Sequence, residues 1–255
     1  MDFTVPQNTG AKIKKIIGIV SGKGGVGKSM VTGLAAVSAM RAGMKVGIMD
    51  ADITGPSIPR MFGLNERLHG TETSIYPAIT GEGIKVVSSN LILDDPEAPV
   101  VWRGPVIAGL VKQFYSDVEW EDLDVLFVDM PPGTGDVPLT VFQSLPVDGI
   151  LVVTSPQDLV AMIVGKALKM AELMNIPVLG LIENMSYVAC PHCGEKIAVF
   201  GESHIEDIAA KYSVPVIAQL PIDQNLVPAA DQGMLEAYKG DFMEAFGAAI
   251  ANLIK

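Results

Sequence analysis

Gly22-Lys23-Gly24-Gly25-Val26-Gly27-Lys28-Ser29 satisfies the spacing G-x-x-x-x-G-K-[ST], the pattern of a P-loop that wraps a phosphate chain. Its glycines let backbone N–H groups close on anionic oxygens, Lys28 neutralises terminal phosphates, and the Ser29 hydroxyl can ligand Mg²⁺. Such a loop needs a further carboxylate for the metal, and the apolar run Val125–Val128 followed by Asp129 supplies one. A second run, Lys45–Met49, ends in Asp50-Ala51-Asp52. Of these, Asp52 suits the orientation of an attacking water and Asp50 a supporting place near Mg²⁺. A pair of acids that merely caps the next segment is the plainer alternative.

After Asp129, Pro131-Pro132-Gly133-Thr134-Gly135-Asp136 is too rich in Pro and Gly to start a helix. It suits a switch loop around Pro132 and Gly133 whose backbone responds to a γ-phosphate, or else an ordinary turn. Lys23 adds a second cation five residues before Lys28. That repulsion makes sense if Lys23 reaches a different phosphate, as an arginine finger does across a dimer.

Two cysteines occur, in Cys190-Pro191-His192-Cys193-Gly194. The spacing is that of metal ligands or a redox dithiol more than of a structural disulfide. Zinc and cubane clusters typically take four ligands, so one chain cannot complete such a site with cysteine alone, whereas a two-fold homodimer can. Zn²⁺ on the same four thiolates and a redox dithiol are the competing readings; the latter is weak because Cys190 does not open a helix after a strand. His192 could add a ligand, although a solvent-facing loop histidine is the plainer reading. His69 and His204 stand alone and are assigned surface or packing roles.

These residues need a scaffold. Short β-branched runs alternate with helical patterns, which predicts an α/β fold: a single doubly wound, mostly parallel sheet flanked by helices. Seven or so strands are expected, at Lys15–Val20, Lys45–Met49, Ile84–Ser88, Val125–Val128, Ile150–Thr154, Val178–Ile182 and Val216–Gln219. Helices are expected at Lys28–Ala42, Pro105–Ser116, Val137–Ser144, Leu159–Met174, Ile205–Tyr212 and Asp241–Ile254. Residues 1–14 read as an N-terminal tail and 15–255 as one domain, since no linker or repeat divides them. Two stretches resist a regular reading: Thr54 to Gly83, and Asn184 to Gly201, which carries the cysteines.

Of 255 residues, 49% are apolar and 18% charged, which excludes intrinsic disorder. No run approaches the roughly 18 apolar residues of a membrane span. The net charge of −11 disfavours nucleic acid and anionic lipid as partners. The polar start, Met1 to Gly10, lacks the features of a secretory signal, so a cytoplasmic location with reduced thiols is expected. The 13 methionines are scattered and read as core filling. In the C-terminal helix, Phe242, Phe246, Ile250 and Leu253 share a face that lacks a basic flank, so it is expected to pack on the sheet.

Lys23 to Ser29 resembles the deviant Walker A motif of the MinD/ParA/ArsA/nitrogenase iron-protein class of ATPases. Further segments resemble the Mrp/ApbC branch of iron–sulfur cluster carriers: Asp50-Ala51-Asp52-Ile53-Thr54-Gly55-Pro56-Ser57-Ile58-Pro59, Trp102-Arg103-Gly104-Pro105, Asp129 to Asp136, Glu183-Asn184-Met185-Ser186 and Cys190 to Gly194. The resemblance covers the whole chain. It implies a slow ATPase working as a homodimer, with Lys23 acting in trans, Asp52 in switch I, Asp129 and Gly133 in the Walker B and switch II segment, and Asn184 recognising adenine. It further implies a [4Fe–4S] cluster bridging two subunits through Cys190 and Cys193, cluster-assembly proteins as donors and apo iron–sulfur proteins as recipients. Met30 stands where the class usually carries a threonine whose hydroxyl helps hold the α-phosphate. Two other functions compete: a MinD/ParA-like positioning or partitioning ATPase, and a zinc-bridged nucleotide-dependent regulator.

Overall fold

Uninterrupted apolar runs become the middle of one sheet, because a strand covered on both faces has no side to give to water. The computed structural model describes residues 5–8, 10–53, 55–71, 73–93, 104–133, 135–156 and 160–255. Thr54, Trp102, Arg103, Thr134 and Leu159, named above, lie outside them. In chain order the first half holds β1 (Lys12–Ile13), β2 (Ile16–Ser21), α1 (Lys28–Arg41), β3 (Val46–Asp50), α2 (Ile58–Met61), β4 (Ala78–Ile79), β5 (Lys85–Val87) and α3 (Gly104–Ser116). Then come β6 (Asp122–Leu123), β7 (Val125–Asp129), α4 (Asp136–Ser144), β8 (Gly149–Thr154), α5 (Val160–Leu173) and β9 (Val178–Glu183). The chain continues with β10 (Val188–Ala189), β11 (Lys196–Ile197), α6 (Ile205–Tyr212), β12 (Val216–Gln219), α7 (Leu226–Asp231) and α8 (Met243–Ile254).

Eight strands form the main sheet in the order β12-β9-β8-β2-β7-β3-β5-β4. All neighbours are parallel except β4, which runs antiparallel to β5 at the edge. β2 lies between β7 and β8, so connections leave it toward both sides, and the crevice above its carboxyl end is where sheets of this kind bind ligands. One apolar core, with Phe114 and Trp120 among its largest side chains, packs α3 to α6 against one face. The other, with Leu34, Phe127 and Phe246, packs α1, α2, α7 and α8 against the opposite face. Phe246 and Ile250 of α8 are buried there and Phe242 and Leu253 partly so, as their spacing predicts. Among the described residues no helix is long and apolar enough to cross a membrane.

Each predicted strand and helix is present, but the short elements exceed what periodicity indicates. Lys12 and Ile13, expected in the tail, pair in parallel with Asp122 and Leu123. Within the stretches expected to be irregular, α2 and β4 occupy part of 54–83, and β10 and β11 form an antiparallel hairpin within 184–201. A ladder of two residues is too short to leave a period-two pattern.

Candidate functional site

Polar residues close the central strands where apolar pattern gives way to the crevice: Ser21 ends β2, Asp50 β3, Asp129 β7, Thr154 β8 and Glu183 β9. The loop after β2 turns through Gly25 (φ +81°) and Gly27 (φ +78°), a left-handed geometry that glycine adopts without penalty. Gly27 stands at the N-terminus of α1, whose first residues are Lys28 and Ser29. Among the described residues, and apart from each glycine's own chain neighbours, no atom lies within 4 Å of where a Cβ on Gly24 or Gly25 would sit, so the backbone there is open to a ligand. The loop therefore offers N–H groups and a helix N-terminus to an anion.

Behind the loop the charges interlock. Lys28 Nζ lies 2.8 Å from Asp129 Oδ1 and 3.7 Å from Asp52 Oδ2. Ser29 Oγ donates to Asp129 Oδ2 at 2.5 Å, and Thr32 Oγ1 donates to Oδ1 at 2.8 Å. Asp50 faces Asp129 across the parallel register of β3 and β7. It accepts from Ser88 Oγ at 3.0 Å and from the Asp52 N–H at 3.2 Å. Burial, then the charge of Asp129, pushes the Asp50 carboxyl up to about 8, so it holds a proton at neutral pH. Ser29 and Asp129 present the hard oxygen donors that Mg²⁺ takes, and the residues present fit that ion.

A cavity of about 420 Å³ opens over this cluster, with Gly24, Lys28, Ser29, Met30, Asp52 and Pro132 in its wall. Arg60 of α2 and Asp231 of α7, 3.6 Å apart, stand at its exposed rim. Ser21 Oγ, buried in the same wall, has no hydrogen-bond partner among the described residues. Met30 lends its side chain to the wall and to the adjoining apolar core, so no hydroxyl occupies the threonine position. Gly133 has φ +90° and its N–H donates to the Ser21 carbonyl at 2.9 Å, which seats the Pro132–Gly133 turn against the end of β2. Lys23 is half-buried on the loop. Asn184 is buried below it, and Nδ2 donates to the Val26 carbonyl at 3.0 Å.

The cysteines occupy the tip of the β10–β11 hairpin. Cys190 N–H donates to the Glu195 carbonyl at 2.8 Å and Gly194 N–H to the Cys190 carbonyl at 2.9 Å, with Gly194 at φ +75°. The N–H groups of Cys193 and His192, and then the Cys193 thiol, hold the Cys190 thiol below the ordinary cysteine range. A thiolate is the form that binds metal. Every residue from 191 to 204 is exposed, His192 included. Among the described residues no three His, Cys, Asp or Glu side chains gather to hold a metal ion, so within them the hairpin tip offers at most two candidate ligands.

Sequence reasoning assigned no role to Thr32 or Glu183. Thr32 follows Lys28 by one helical turn, a spacing that puts it on the same face. Glu183 is a carboxylate ending an apolar strand, the same signal that drew attention to Asp129.

A family model described as ParA, NUBPL iron-transfer P-loop NTPase, matches residues 12–254. The chain belongs to this family. An iron–sulfur cluster carrier protein of Clostridium perfringens is 45% identical over 246 residues, covering 92% of this chain and 86% of the relative. Its namesake in Methanocaldococcus jannaschii is 44% identical over 235 residues, covering 91% and 81%. Among solved structures, a nucleotide-binding protein from Archaeoglobus fulgidus in complex with ADP has a TM-score of 0.81 at 43% identity, covering 91% of both chains. The cell division ATPase MinD of Pyrococcus furiosus, at 18% identity and a TM-score of 0.66 over 94% of this chain, shares the fold. The iron-transfer NTPase family thus accounts for the phosphate loop and for the sheet that carries it.

Proposed function

We propose that this chain binds ATP, hydrolyses it slowly, and as a homodimer carries a [4Fe–4S] cluster bridged by two copies of Cys190 and Cys193, which it delivers to apo iron–sulfur proteins. The observation that carries the proposal is the cysteine pair at the hairpin tip: two sulfurs close together, Cys190 half-buried and Cys193 exposed, with no group of three metal-ligating side chains among the described residues. A second copy across a two-fold axis completes the set of four. Residues 15–255 act as one unit, in the cytoplasm, loaded by cluster-assembly proteins. The names of the relatives and the acidic charge support a carrier over a nucleic-acid or membrane partner.

In the nucleotide site, Gly22 to Met30 wrap the phosphates, and Lys28 neutralises their terminal oxygens. Bound Mg²⁺ would supply charge neutralisation to the phosphates, held by Ser29 and Asp129 with Asp50 behind them. Asp52, beside Lys28 and on the cavity wall, orients the attacking water. Lys23 acts on the nucleotide of the partner subunit, and Asn184 contacts the base. Pro132 and Gly133 respond to the terminal phosphate as a switch.

The test is iron, acid-labile sulfide and zinc per dimer after anaerobic reconstitution, in the wild type and in a Cys190→Ser, Cys193→Ser double variant. About four irons and four sulfides, lost in the variant, are expected for a cubane cluster. Zinc alone would convert the reading to a zinc-bridged regulator, and no metal in either protein would remove the carrier function.

A further inference from the structure

Glu183 is a buried carboxylate that the nucleotide chemistry leaves unused. It ends β9 at 1% exposure. A carboxylate so placed must be held by donors. Ser186 Oγ donates at 2.6 Å, Ser203 Oγ at 2.8 Å and Gln219 Nε2 at 3.1 Å. Ser186 precedes β10 and Ser203 follows β11, so this one side chain grips both feet of the segment that carries Cys190 and Cys193. Ser203 Oγ also accepts from Gln219 Nε2 at 3.1 Å and from the Ile205 N–H at 3.2 Å, which ties the far foot to β12 and to the start of α6.

The next residue faces the other way. Asn184 is anchored by its N–H to the Thr154 carbonyl at 2.8 Å, while its side-chain amide donates to Val26 of the phosphate loop. The amide fills the space beside Gly27, where a Cβ would come within 2.2 Å of Nδ2. A phosphate drawn onto the loop N–H groups acts on this same Val26–Gly27 stretch, and through it on Asn184. Asn184 and Glu183 share one peptide group that is held at both ends, the Asn184 N–H on the Thr154 carbonyl and the Glu183 carbonyl accepting from the Leu220 N–H at 2.8 Å, so a displacement of that group moves both residues.

We propose that the Glu183–Asn184 step transmits nucleotide occupancy to the Cys190–Cys193 hairpin within a single chain, so that a phosphate chain on the loop changes how the two thiols are presented. The inference rests on the nucleotide and thiolate sites of the reading above, and not on which metal the thiols hold. It offers a continuous physical route of packed and hydrogen-bonded groups between the sites. Linkage makes the effect reciprocal: whatever binds the thiols alters nucleotide affinity by the same factor.

The experiment uses the reduced, metal-free chain. Alkylation rates of Cys190 and Cys193 by iodoacetamide are followed by mass at fixed pH, with and without saturating Mg²⁺ and ADP. The wild type should show a change of about fivefold on adding nucleotide. Glu183→Gln and Ser203→Ala should each reduce it to less than about twofold while ADP affinity stays near the wild-type value. Ser203→Ala removes one peripheral donor and keeps the test intact if Glu183→Gln fails to fold. Identical wild-type rates with ADP bound, or a nucleotide effect retained in both variants, overturn the inference. A chain that cannot bind ADP at all brings down the nucleotide reading and this inference together. A nucleotide effect on alkylation in a protein that takes up no iron upholds the inference and removes only the cluster reading.

Discussion

The Lys28 ammonium lies 2.8 Å from Asp129 Oδ1, and both side chains are shut away from water. The cation that should meet a phosphate is therefore already partnered by the carboxylate of a neighbouring strand. An incoming phosphate chain must compete for it, and success would free the Asp129 oxygens for a metal.

Lys28→Ala should lose nucleotide binding and also destabilise the protein. It strands the Asp129 carboxylate with two hydroxyl donors, Ser29 and Thr32. Breaking a buried pair from one side costs roughly 3 kcal/mol. Calorimetry with ADP and urea unfolding without it check the two halves separately.

Lys23→Ala should behave differently. Its ADP and ATP affinities should remain near wild type while phosphate release falls by on the order of 10³-fold, the scale of an arginine finger. An affinity loss as large as that of Lys28→Ala would refute action across a dimer.

Stability should depend on pH through Asp50, which faces Asp129, Asp52, Lys28 and the Ser88 hydroxyl. Its carboxyl sits at about 8 in the folded chain against an ordinary 3.8, so the folded state binds the proton more tightly. Its contribution is full below about pH 4 and is lost as pH rises through 8. Asp50→Asn should therefore gain stability relative to wild type between pH 5 and pH 9, by on the order of a few kcal/mol. Urea midpoints across that range give the difference; parallel curves for the two proteins would contradict the assignment.

Gly27→Ala should weaken ADP binding by at least about tenfold and lower stability by about 1–3 kcal/mol, because the residue has φ +78° and its Cβ would strike the Asn184 amide. Gly24→Ala, with open space at the same point, should leave the melting temperature unchanged. Calorimetry and thermal unfolding of both variants check the contrast.

The central strands were legible because burial on both faces writes itself as continuous Val, Ile and Leu, and the phosphate loop because its glycines and Lys28 occur at fixed offsets. Asp129 and Asp50 could be read as strand-end acids, but not that Asp50 is the one whose carboxyl is pushed up. That distinction comes from the register that sets Asp50 against Asp129 and from Lys28 lying beside the latter. The hairpin around Cys190 left no periodic trace, since it is held from outside by Glu183 and by the backbone pairing of Tyr187 with Ile222. Nothing local in the sequence announces that Ser186, Ser203 and Gln219 converge on one carboxylate.

The exposure of the hairpin around Cys190 and Cys193 has a consequence for stability. Residues 191–204 are exposed throughout and belong to neither apolar core. Small zinc domains unravel when their ion departs, because the metal is their core. Here the apolar cores stand apart from the hairpin, so on the proposed function the fold should outlast the departure of whatever the two sulfurs carry.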